Sequence, residues 1–150
     1  IRVESDEVTY PLHVILRFNL EQKIFNENIN LKDIPELWNQ EYKRLFAKEV
    51  DKDSNGCLQD VHWYAGLFGY FPTYSLGALT AAQLASQLRE DMKNLDQQVE
   101  KGDFNELIEW LKLNIHSKAS LYSTNEILQQ VTNSELNAKY FMDYIKNRYL

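Results

Sequence analysis

An all-α fold is predicted by three observations. Apolar residues recur at intervals of three and four through most of the chain, helix-start signals stand ahead of several of these runs, and no stretch alternates apolar and polar as a half-buried strand would. Val8, Leu12, Ile15, Leu16 and Leu20 mark the stripe of a first helix. Pro11 lacks a backbone donor and clashes with the preceding turn, so this helix either starts shortly before it or kinks there. Asp33-Ile34-Pro35-Glu36 combines a capping acid, a first-turn proline and a glutamate three residues after the cap, ahead of Leu37, Trp38, Leu45 and Phe46. A long helix rich in Ala, Leu and Gln is expected from 75 to about 99. Asp103-Phe104-Asn105-Glu106 and Ser123-Thr124-Asn125-Glu126 repeat the capping box, ahead of Leu107, Trp110 and Leu111 and of Ile127 and Leu128. A helix over 138–149 closes the set, with Tyr140, Phe141, Tyr144 and Ile145 at helical spacing. Residues 52–56 read as an exposed loop and Lys101-Gly102 as a turn. With no internal repeat and no low-complexity linker, 1–150 reads as a single helical region.

Composition narrows the function classes. The chain has 150 residues, 44% of them hydrophobic and 13% aromatic, which is enough to bury the core of one domain and argues against disorder. A net charge of −6, with lysines and arginines scattered among acids, argues against a nucleic-acid surface. No apolar run approaches the roughly twenty residues that span a bilayer, and no secretory leader pattern opens the chain, so no membrane contact and a cytoplasmic location are expected. The single cysteine, Cys57, rules out an internal disulfide or a cysteine-rich metal site and suits a reducing compartment. The pattern opens at full strength at Ile1 with no cap before it, as a cut through a longer polypeptide would. Such a cut predicts an apolar patch near the first helix and self-association.

Two constellations could carry chemistry. Arg2, Asp6, Thr9 and His13 are spaced by four, three and four, which on a helix forms one polar face. It reads either as a solvated face with a weak Arg2–Asp6 ion pair, or as Asp6 holding Arg2 in a fixed pose to grip a ligand carboxylate with two parallel hydrogen bonds. Gln59, His62, Trp63 and Gly66 fall on one side of a helical turn, with Gly66 and Gly69 open to close approach by another backbone. This reads either as an aromatic core with a satisfied histidine, or as a groove in which His62, Tyr70 and Tyr74 donate to a substrate carbonyl or carboxylate.

Metal sites are poorly supported. Asp51-Lys52-Asp53-Ser54-Asn55-Gly56 matches the first half of a calcium-binding loop, but His62 stands where a bidentate glutamate belongs. None of His13, His62 and His116 sits in a His-Glu-x-x-His pair. No Gly-x-Ser-x-Gly elbow is present for a nucleophilic serine.

With these residues in view, the chain resembles the carboxypeptidase Taq family of metallocarboxypeptidases. Ile1-Arg2-Val3-Glu4-Ser5-Asp6 is similar to the family's Ile-Arg-x-x-Ala-Asp motif, with Ser5 for alanine. Gly56-Cys57-Leu58-Gln59-Asp60-Val61-His62-Trp63 fits Gly-x-x-Gln-Asp-x-His-Trp, and Phe68-Gly69-Tyr70-Phe71-Pro72-Thr73-Tyr74 continues the likeness. Asn137-Ala138-Lys139-Tyr140-Phe141 resembles the family's closing helix. The family's His-Glu-x-x-His zinc helix, downstream glutamate ligand and Asp-x-Arg-x-Thr motif have no counterpart here.

The resemblance implies a bundle-like C-terminal part of a larger, mainly helical zinc enzyme that removes single residues from peptide C-termini. It places the zinc ligands in the missing N-terminal part, so the isolated chain is expected to be inactive, and it implies a homodimer for the parent. It assigns Arg2, Asp6, Gln59, Asp60, His62 and Trp63 to substrate binding, with Asp6 and Asp60 orienting Arg2 and His62, and Tyr70 or Tyr74 to donation to the oxyanion. The alternative from a different class is a small helical calcium-binding or protein-interaction module.

Overall fold

Helix α1 (Tyr10–Asn26) begins where Pro11 permits, in its first turn, so the proline marks a start rather than a kink. The computed structural model describes residues 2–118 and 120–150, and Ile1 of the first motif lies outside them. Two compact units divide the chain, Ile1–Leu76 and Gly77–Leu150. Among the described residues every regular element is helical.

In the first unit, a 3-10 turn (Arg2–Glu4) precedes α1, and a second one (Leu31–Asp33) leads into α2 (Ile34–Phe46). Asp33 stands at the N-cap of α2 as expected, but its side chain makes no capping bond. The Asp33 backbone is already helical rather than extended, which turns its side chain away from the N–H groups ahead of it, and the preceding 3-10 turn is capped by Asn30, which accepts from the Lys32 N–H at 3.0 Å. α1 packs on α2 through Leu16, Leu20 and Trp38, joined by Cys57 and flanked by Leu37, Leu45 and Trp63. The buried face of α1 differs from the expected stripe: Ile15 and Val8 are exposed, whereas His13, Arg17 and Glu21 are buried beside Leu16 and Leu20. Residues 52–56 form a 3-10 turn (Asp53–Asn55) that ends on buried Gly56, where a Cβ would meet Val50 at 3.0 Å and Trp38 at 3.4 Å. A single helical turn, α3 (Val61–Tyr64), follows.

The long helix expected over 75–99 is two helices, α4 (Pro72–Asp91) and α5 (Leu95–Glu100). At the break the Asp91 carboxylate accepts from the Trp110 indole at 2.8 Å and from the Gln87 amide at 2.9 Å, and the Leu95 N–H turns to the Met92 carbonyl at 3.1 Å. The break is invisible to periodicity because Leu88 and Leu95, both buried, are seven positions apart.

The second unit continues with α6 (Asn105–Asn114), α7 (Thr124–Thr132) and α8 (Lys139–Tyr149). The Ser123 capping box forms in full, with Ser123 N–H donating to Glu126 at 2.7 Å and Glu126 N–H to the Ser123 hydroxyl at 3.3 Å. The Asp103 box does not form: α6 starts two residues later, and Asp103 accepts from Asn105. Gln83 of α4, fully buried, donates to Thr132 at 2.8 Å and Ser134 at 2.9 Å and accepts from the Asn137 N–H at 2.9 Å. One amide thereby fixes the α7–α8 connection.

Candidate functional site

Asp60 stands immediately before α3 in an extended conformation, with its side chain free of any capping bond, and it turns inward to become 5% exposed. Three side chains converge on it. Arg2 binds it with a side-on fork, Nε to Oδ2 at 3.1 Å and Nη2 to Oδ1 at 3.0 Å. From α1, Arg17 places Nε 2.7 Å and Nη2 2.6 Å from Oδ2, and His62 places Nδ1 2.7 Å from Oδ1. The two guanidiniums lie among aromatic faces: Arg17 is 4.7 Å from the Trp38 ring centre and 5.1 Å from that of Phe71, and Arg2 lies over Tyr10, Phe71 and Tyr74.

Burial alone raises the Asp60 pKa, but the Arg2 hydrogen bonds, the Arg17 charge and the His62 bond outweigh it and hold the carboxyl below its usual range. The two arginines shift in opposite directions on one carboxylate. Burial pulls both down; for Arg2, bonds to Asp60 and Tyr10 prevail, whereas Arg17, wholly enclosed and repelled by Arg2, is lowered. Both stay protonated. Two guanidiniums against one carboxylate leave an excess of positive charge on the cluster, and Arg2 is the member at its rim, with 13% of its side chain exposed. Arg2 Nη1 donates to the Tyr10 hydroxyl at 3.0 Å, so three of the five guanidinium N–H groups have partners among the described residues.

When the His62 ring is neutral, its partners fix the tautomer. An ionised carboxylate only accepts, so Nδ1 carries the proton, and Nε2 accepts from the Tyr74 hydroxyl at 3.0 Å. The Tyr74 proton is therefore directed at His62. Tyr70 lies 5.9 Å from His62 between ring centres and 5.4 Å, edge-on, from Tyr74; it is exposed, and its hydroxyl has no protein partner among the described residues.

Arg2, Asp60, His62 and Tyr74 are thus brought together, with Tyr70 beside them. Three other expected residues are not. Asp6 does not hold Arg2: α1 starts only at Tyr10, so no helix carries the four-three-four spacing, and exposed Asp6 accepts instead from the N–H groups of Val8 and Thr9, each at 2.9 Å. Gln59 donates to the Asn55 carbonyl at 2.7 Å, away from the cluster, because α3 is too short to place it on a shared face with His62. Trp63 packs edge-on against Trp38 and donates its indole to Glu21 at 2.8 Å. Nor does His13 join a polar face, being 4% exposed with its ring 4.4 Å from Phe46. Gly66 and Gly69 have open space where a Cβ would stand; what they supply is positive φ, +73° and +75°.

Arg17 and Glu21 were not singled out from the sequence. The available signal was His13, Arg17 and Glu21 at spacings of four beside Leu16 and Leu20, three polar groups in register with a buried stripe.

The residues present do not fit a metal centre. Among the described residues no group of three or more His, Cys, Asp and Glu could hold an ion, and both nitrogens of His62 are engaged. In the calcium-like loop, Asp51 accepts from the Asn55 amide at 2.8 Å.

A family model described as carboxypeptidase Taq (M32) metallopeptidase matches residues 1–149. Carboxypeptidase 1 of Bacillus subtilis is 42% identical over 99% of this chain and 30% of its own length, and thermostable carboxypeptidase 1 of Pyrococcus furiosus is 41% identical over 100% and 30%. A solved structure of the Pyrococcus furiosus carboxypeptidase superposes with a TM-score of 0.97 at 41% identity, covering 100% of this chain and 30% of that one. Metallocarboxypeptidase 1 of Trypanosoma cruzi superposes with a TM-score of 0.95 at 40% identity, covering 99% and 32%. The chain therefore spans about 30% of the length of these relatives, aligning with their C-terminal part. With the motif residues gathered on Asp60 and the likeness running from end to end, the chain belongs to the carboxypeptidase Taq family of metallopeptidases.

Proposed function

We propose that this chain supplies the wall of a peptide-binding groove in a carboxypeptidase that removes single residues from peptide C-termini. The observation that carries the reading is the pairing of Arg2 and His62 on one buried carboxylate, which holds a cation and an imidazole in one fixed arrangement. An excess positive charge with remaining N–H groups at the rim suits a substrate carboxylate. Arg2 contacts the terminal carboxylate, His62 accepts a backbone N–H of the substrate on Nε2 in place of the Tyr74 hydroxyl that orients it, and the Tyr70 hydroxyl, without a partner among the described residues, donates to the oxygen that gains charge. The catalytic metal, zinc on the family resemblance, and its ligands belong to the N-terminal part of the whole enzyme. That part and a second copy of the enzyme are its partners. Cytoplasmic location is supported by the lone Cys57, buried and with its thiol pKa pushed up by burial.

Two experiments test this reading. The isolated chain, assayed on an N-blocked dipeptide with added zinc, is expected to show no turnover; metal-dependent hydrolysis would overturn the placement of the metal outside it. In a full-length carboxypeptidase containing this chain, Arg2→Lys keeps the charge but loses the fork, and kcat/KM is expected to fall about tenfold or more. An unchanged kcat/KM would remove Arg2 from substrate binding.

A further inference from the structure

Glu21 is 3% exposed and lies one helical turn beyond Arg17, yet it makes no ion pair among the described residues. Its oxygens accept instead from two distant parts of the chain: Oε1 takes the Trp63 indole N–H at 2.8 Å, and Oε2 takes the Gly69 backbone N–H at 3.0 Å. Burying a carboxylate without a counter-ion is costly, and an apolar side chain would fill the volume at lower cost. What the acid does that a neutral residue cannot is accept on both oxygens at once.

The two donors lie just inside His62 and Tyr70 in sequence. Trp63 directly follows His62, and Gly69 directly precedes Tyr70. Between them the end of α3 is closed by the Leu67 N–H on the His62 carbonyl at 2.8 Å and the Gly66 N–H on that of Trp63 at 3.1 Å. After left-handed Gly66 the Phe68 and Gly69 N–H groups make no backbone bond among the described residues, so the run into Tyr70 depends on the Glu21 side chain. Gly69 is anchored to the Glu21 side chain at the point where this path delivers Tyr70 beside His62. We propose that Glu21 is a positioning residue that sets the separation of His62 and Tyr70 by holding the chain neighbour of each. This rests on the reading of those two residues as substrate contacts.

The test combines amide hydrogen exchange and NMR on the 150-residue chain with kinetics in a full-length enzyme. In the wild type, Gly69 is expected to exchange about tenfold more slowly than Phe68, as one hydrogen bond implies. Glu21→Gln keeps the shape but presents an NH2 group to one of the two donors. In that variant Gly69 is expected to lose its protection, the Trp63 indole proton to shift, and the contacts between the His62 and Tyr70 rings to weaken, while the His62–Tyr74 contact persists. In the full-length enzyme kcat is expected to fall about tenfold with KM little changed, the mark of a misplaced donor. Equal Gly69 exchange in wild type and variant would overturn the positioning role. So would wild-type Gly69 exchanging as fast as Phe68, a result that stands even if the variant does not fold. Tyr70→Phe separates the two readings: an unchanged kcat there sinks the role of Tyr70, whereas the Gly69 and Trp63 signals decide that of Glu21.

Discussion

Asparagine at position 60 is expected to destabilise the chain by about 3–5 kcal/mol, a loss that follows from the charge it strands rather than from the volume it changes. Arg17 has no exposed surface, and its Nε and Nη2 both face the Asp60 carboxylate. Asp60→Asn keeps the shape, removes the only counter-charge in contact with Arg17 among the described residues, and offers one acceptor where four or more donors converge. Urea unfolding followed by tryptophan fluorescence reads the effect, because Trp38 packs directly on Arg17. Arg17→Met is the instructive control: it removes the buried charge while Asp60 keeps Arg2 and His62, so it is expected to cost less than Asp60→Asn. An Asp60→Asn variant as stable as wild type would mean that Arg17 is not held by this carboxylate.

Acid is expected to weaken the fold in two separate windows. His13 is buried against Phe46, and burial first, then the charge of Arg17, lowers its pKa from 6.5 to about 4. Between these values the unfolded chain binds a proton that the folded chain refuses, so stability falls as pH drops from 6.5 to about 4 and levels off below. The difference of 6.5 minus about 4 corresponds to about 3 kcal/mol. Asp60 acts lower. Its carboxyl is held below the ordinary value of 3.8, so its contribution is present above that pH and is lost as pH falls through the folded value. Unfolding free energies measured from pH 7 to 4 for wild type and His13→Phe separate the windows. The variant is expected to lose most of the upper slope; an identical slope would assign it to other groups.

The helical class, the start of α2 and the full Ser123 box were legible because periodicity and helix-start chemistry are local, whereas Pro11 left the start of α1 open between a beginning and a kink. The break between α4 and α5 was not, since the spacing of Leu88 and Leu95 runs through it. At the site, motif likeness pointed to Arg2, Asp60, His62 and Tyr74, which do converge. The partner of Arg2 could not be read from spacing, because residues 2 to 9 are not one helix and the true partner lies 58 positions away. Arg17 and Glu21 were hidden by their type. Charged residues are ordinarily taken as solvent-facing, and only their register with Leu16 and Leu20 marked them as buried. A tertiary carboxylate with distant partners leaves no mark on hydrophobic periodicity.

The shared carboxylate can be tested at a single ring. Long-range proton–nitrogen correlation spectra of the histidines report which nitrogen of His62 carries the proton, in the wild-type chain and in Asp60→Asn. The account predicts an Nδ1–H tautomer in the wild type, with Nε2 accepting from Tyr74, and loss of that preference when the carboxylate is removed. An Nε2–H tautomer in both proteins would contradict it, since His62 would then stand apart from Asp60 and Arg2 would have no imidazole to share a groove with.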